Sequence, residues 1–66
     1  MDAQVDEIIA GGDCGSNDCP TVFRTNKPGV VAVQGYAMRA VPTPEGEWVV
    51  EVPEELILEA ARALGR

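Results

Sequence analysis

No histidine occurs in this chain, and five basic residues stand against eleven acids. The missing imidazole removes the usual general base for a serine or cysteine nucleophile, so an enzyme is not expected. It also removes one of the two ordinary protein ligands of structural zinc. A net charge of −6 argues against direct nucleic-acid binding, because affinity for a phosphate backbone rests on Lys and Arg. Aromatic side chains are limited to Phe23, Tyr36 and Trp48, so a core has to be built from Val, Ile, Leu and Ala. No apolar run approaches the roughly 20 residues that cross a bilayer, which excludes a membrane-spanning helix. The opening residues MDAQVDEIIAGG carry acids where a secretory leader carries basic groups. The expectation is a cytoplasmic chain with reduced thiols.

What the sequence does contain is enough for one small domain, residues 1–66. A domain of this size buries only about 60% of the surface of its unfolded chain. A partner, a second copy in a homodimer, a metal or a disulfide would add stability that the core alone lacks. The acidic surface suits a basic protein partner, and it also keeps a small protein soluble.

Residues Cys19 to Gly35 read as a hairpin. Two β-rich runs, Thr21–Thr25 and Val30–Gln34, flank Asn26-Lys-Pro-Gly29, a turn with its own punctuation. Thr21, Phe23 and Thr25 share one face of the first run, and Val22 and Arg24 the other. The second run is apolar on both faces, which predicts a central position in the sheet. Gly35 predicts a kink, Tyr36–Val41 a third extended run, and the loop Pro42–Gly46 a reversal into a fourth strand, Glu47–Val52. Trp48 alternates in phase with Val50 and Val52, which makes it the core aromatic facing the helix.

Pro53 then opens a C-terminal helix, with Glu54 and Glu55 at its positive end and Arg62 near its negative end. Ile57, Ala60, Ala61 and Leu64, widened by Leu56, form its apolar stripe. At the other terminus, Met1–Ala10 predicts a short helix with the stripe Val5, Ile8 and Ile9, ended by Gly11-Gly12. So short a helix is marginal unless it docks, so residues 1–12 read as a detachable segment. The expected fold class is α+β: a small antiparallel sheet of three to four strands, a C-terminal helix packed on one face, and a short N-terminal helix.

Chemistry-bearing residues are few. Cys14 and Cys19 flank a glycine-containing polar loop and could approach one another. A zinc site would need two further ligands, which only Asp13, Asp18 or a second copy could supply. No cofactor is therefore expected, with zinc as the alternative. A disulfide would close a short loop and act as a redox switch in a reducing compartment. The bland reading is that Cys19 packs as a small apolar residue at the strand start. The carboxylate pairs Asp2 with Asp6, Glu54 with Glu55 and Glu55 with Glu59 fall at helix starts or on a solvated helix face, where acids have a dipole reason to be. That leaves surfaces. Tyr36, Met38 and Trp48 are residue types enriched at interfaces. The stripe Val5, Ile8 and Ile9 on a detachable segment is the other candidate for partner binding.

Three stretches carry a family resemblance: Gly15-Ser-Asn-Asp-Cys19, Gly29-Val-Val-Ala-Val33 and Glu47-Trp-Val-Val-Glu-Val-Pro-Glu-Glu55. In these the chain resembles small uncharacterised actinobacterial proteins encoded beside helix-turn-helix regulators. It carries Gln34-Gly-Tyr-Ala-Met38 where those proteins commonly have an Arg-Asp-Ser-Lys-like segment. The resemblance implies a protein partner, a regulator that itself binds DNA. The function expected is a non-enzymatic protein-interaction module that modulates such a regulator. The alternative is a cysteine-based redox switch or metal-stapled module using Cys14 and Cys19.

Overall fold

A computed structural model of the chain describes residues 4–12 and 19–65. The hairpin forms as the sequence dictates, from β2 (Thr21–Thr25) and β3 (Val31–Gln34). Its register sets Thr21 opposite Gln34, Val22 opposite Val33, Phe23 opposite Ala32 and Arg24 opposite Val31. The reversal is closed by the Val30 N–H donating to the Lys27 carbonyl at 3.2 Å. Pro28 presets its own φ, and Gly29 sits at φ +76°, where a Cβ would be penalised. Thr25, though buried, is satisfied: its hydroxyl donates to the Val30 carbonyl at 2.7 Å and accepts from the Lys27 N–H at 3.2 Å.

The first departure from expectation lies at the N-terminus. Val5–Gly11 is not helical but forms β1, antiparallel to β2, giving a three-stranded sheet of order β1-β2-β3. Residues 1–3 of the expected helix lie outside the described residues. The physical reason is visible in the register, which slips between Val5 and Glu7 and again between Ile8 and Ala10. In a regular strand Val5 and Ile8 would point to opposite faces. The first bulge returns both to one face, opposite Thr25 and Phe23 respectively. An i, i+3 spacing that reads as a helix stripe is thus produced by a bulged strand. Once β2 offers an edge, Val and Ile gain more from pairing than from a ten-residue helix that cannot hold itself.

The second bulge turns Ala10 to the other face, where it pairs with Val22. On that face lies α1 (Glu54–Ala63), packed mainly across β1. Ala10, Val22, Leu56 and Ala60 make up the buried apolar cluster, with Ile9 and Val52 packed against it. The helix begins one residue later than expected: Pro53 is its extended N-cap, outside the first helical position, and Glu54 and Glu55 occupy the first turn as expected. Its inward stripe is narrower than its sequence suggests: Leu56 and Ala60 are buried, whereas Ile57 is 52% exposed and Leu64 39%. The helix lies mainly over β1, so Ile57 and Leu64 have no strand beneath them.

The remaining chain leaves this sheet at Gly35. An added Cβ there would collide with the Glu51 carbonyl oxygen and come within 2.8 Å of Val52 Cγ1. This close approach lets the chain turn out of β3 into a separate two-stranded ribbon, β4 (Tyr36–Ala37) with β5 (Val50–Glu51). The third and fourth strands expected over Tyr36–Val41 and Glu47–Val52 are therefore much shorter and do not extend the main sheet. Two further expectations fall with this. β3 is an edge strand and not a central one, and Trp48 lies out on the ribbon at 66% exposure instead of under the helix. Among the described residues, no helix is long and apolar enough to cross a membrane.

Two outcomes test this arrangement. Leu56→Ala removes the largest side chain of the buried cluster and should lower the unfolding free energy by about 2–5 kcal/mol. Ile57→Ala should cost well under half as much; the two are compared by urea denaturation. Equal losses would place the docked helix face wrongly. Gly35→Ala should lower the thermal midpoint and loosen amide protection of Glu51 and Val52, because the backbone cannot move away from a β-carbon without opening the ribbon.

Candidate functional site

The ribbon is short but ordered by its own hydrogen bonds. Tyr36 stands opposite Glu51 and Ala37 opposite Val50. The Met38 N–H then donates to the Val49 carbonyl at 2.8 Å, continuing the same count. Beyond it the chain reverses through two local turns, closed by the Val41 N–H to the Met38 carbonyl at 3.2 Å and the Glu47 N–H to the Pro44 carbonyl at 3.1 Å. The Thr43 hydroxyl, donating to the Glu47 carbonyl at 2.7 Å, braces the second of these turns.

One further step along that register brings Arg39 opposite Trp48. The guanidinium carbon lies 5.4 Å from the centre of the indole ring, within range of a cation–π contact worth about 0.5–1 kcal/mol when exposed. Trp48 is otherwise 66% exposed. On the same ribbon Tyr36 is 61% exposed and Met38 39% exposed. Where the ribbon meets the rest of the chain, Tyr36 lines an open groove of about 330 Å³ with Pro20, Glu51, Val52 and Pro53. Tyr, Trp, Met and Arg are the side chains enriched at protein interfaces, and Tyr, Trp and Arg among them dominate interface energetics. Arg39 was not marked by the sequence. The signal that could have found it is its distance from Trp48 across a Pro- and Gly-punctuated reversal.

The residues expected to bind a partner fall in three places. Tyr36 and Met38 share the ribbon with the Arg39–Trp48 stack. Val5 and Ile8 lie exposed on the sheet face turned away from the helix, beside Phe23. Ile9 packs against the buried cluster. The structure therefore does not gather Val5, Ile8 and Ile9 into one stripe, and their helix does not exist to detach.

Of the expected thiol pair, Cys14 lies outside the described residues. Cys19 is disulfide-bonded, which differs from the reduced thiols expected of a cytoplasmic chain. A sulfur held in that bond cannot serve as a zinc thiolate. Among the described residues, no three acidic, Cys or His side chains converge as a metal site. The Cys19 carbonyl accepts from the Thr21 hydroxyl at 2.8 Å and the Gln34 amide at 2.9 Å. The loop end is thereby fastened to both strands of the hairpin.

Reduction of the disulfide should lower the thermal midpoint by several degrees, since a short closed loop contributes about 2 kcal/mol at most and each kcal/mol moves a small domain by roughly 4–8 °C. An unchanged midpoint under full reduction would mean that the bond adds nothing to the fold.

No protein-family model matches the chain, no curated protein is similar to it, and no solved structure matches its fold.

Proposed function

We propose that the chain is a non-enzymatic protein-interaction module that binds and modulates a DNA-binding transcriptional regulator in the cytoplasm, using the ribbon as its contact arm. The observation that carries this reading is the exposed set Tyr36, Met38, Arg39 and Trp48 on an arm that the core does not need for its own burial. A solvent-facing Trp held by an Arg is pre-ordered, so little side-chain entropy is lost when a partner covers it. The regulator as partner rests on the sequence resemblance. The net charge of −6 supports a basic partner surface, which would raise the association rate and make it fall with salt.

The experiment is co-expression with a helix-turn-helix regulator encoded beside this chain, tagged copurification, and titration of the purified pair. A stoichiometric complex is expected, and Trp48→Ala should weaken it by about 2 kcal/mol or more, roughly thirty-fold in Kd. Unaltered affinity in both Trp48→Ala and Tyr36→Ala would remove the arm from the interface. Absence of a complex would remove the regulator.

A second reading is favoured by one observation, the disulfide at Cys19. In it the chain is a redox switch, and reduction releases the loop end that Thr21 and Gln34 hold. Regulator affinity measured with and without reductant separates the two. A redox switch requires the two affinities to differ, and a Cys19→Ser variant should then behave like the reduced protein.

A further inference from the structure

The two edges of the main sheet are built differently. The outer edge strand β1 carries two bulges and two acids, Asp6 and Glu7. Bulges and charges are the devices by which natural sheets prevent another strand from adding to an edge. The opposite edge, β3, has neither. Its residues Val31–Gln34 pair with β2 in unbroken register and carry no charge. Val31 and Val33 are 40% and 41% exposed, and Val30 beside them is 41% exposed. Among the described residues, no backbone hydrogen bond joins Val31, Ala32 or Val33 to anything but β2. Alternate N–H and C=O groups of such a strand face outward, ready to accept another strand.

We infer that β3 is a self-association edge, at which two copies of this chain pair antiparallel about a two-fold axis to form a continuous six-stranded sheet. Three features select a second copy as the occupant. First, the chain carries a charge of −6, and β3 is a sheet edge along which two copies can approach with no carboxylates opposed. Secondly, a two-fold axis passing near Ala32 sets Val31 of one copy opposite Val33 of the other. Both residues lie on the helix-bearing face, as their pairing with Arg24 and Val22 requires. The exposed valines thus cover each other and extend an apolar layer that has four buried members among the described residues of one copy. Thirdly, antiparallel pairing brings the turn end of one hairpin, with Lys27, beside the start of the other copy's ribbon, with Glu51. Neither residue has an ion-pair partner among the described residues, so the ends are complementary in charge. The chain is self-complementary in shape, hydropathy and sign, as a two-fold interface demands.

The test is the mass of the purified full chain by sedimentation equilibrium from micromolar to millimolar concentration. A reversible dimer is expected. Val31→Glu should shift its dissociation constant by roughly tenfold or more, because the two-fold axis places both new carboxylates in one apolar seam. Arg24 stands opposite Val31 within each copy, so the variant retains a favourable neighbour and the monomer fold, checked by its far-UV spectrum. Val33→Lys provides a second variant on the same edge. Asp6→Lys, on the bulged edge, should leave the dimer unaltered, as should Trp48→Ala, which separates this inference from the regulator reading. A wild-type chain that stays monomeric throughout the range overturns the proposal. So does a dimer that survives both β3 variants, or one that is lost through Asp6→Lys instead.

Discussion

Leu56 against Ala10 and Val22 is the interaction on which the rest of the chain depends. It joins the last element to the first strand and the middle one, and it holds the helix that would otherwise be only ten residues of marginal stability. Everything else is arranged around how few side chains this seam can recruit. The second bulge of β1 exists, in physical terms, to bring Ala10 to the helix side, since regular pairing after Ile8 would turn it away. The salt bridge on the same face, Arg24 to Glu7 at 3.1 Å, adds little, because both side chains are largely in water.

The hairpin and the C-terminal helix were legible because their signals are local. The Pro28-Gly29 reversal and the Glu-rich helix start each act within a few residues. Periodicity points to a helix at the N-terminus because it assumes regular pairing, and a bulge changes the period. Val5 and Ile8 on one face are evidence for a helix only if no strand edge is waiting nearby. The edge position of β3 is hidden from the sequence for a related reason. Valine on both faces is what a central strand shows, and it is also what an edge strand awaiting a partner shows. Trp48 alternates in phase with Val50 and Val52, but Gly35 releases the chain from the sheet before that phase can be used.

The candidate site was legible in part. Tyr36 and Met38 were recognised by residue type, and they do stand exposed. Their grouping with Arg39 and Trp48 depends on a register set by Tyr36 opposite Glu51, which composition does not encode. Cys19 was recognised as a thiol of interest, whereas its bonded state depends on a spatial approach that spacing alone left open.

Two of the four side chains in the buried cluster are alanines, Ala10 and Ala60. Methyl groups at such a contact keep helix and strand at a short separation, so the seam is thin as well as small. A thin seam is hard to remodel. At Ala10 and Ala60 there is almost no volume to remove, and a larger residue at either would lift the helix off β1 and carry Leu56 with it. Sequence change that alters what this protein recognises is therefore channelled into the ribbon and the sheet edge, where side chains can grow without moving the frame.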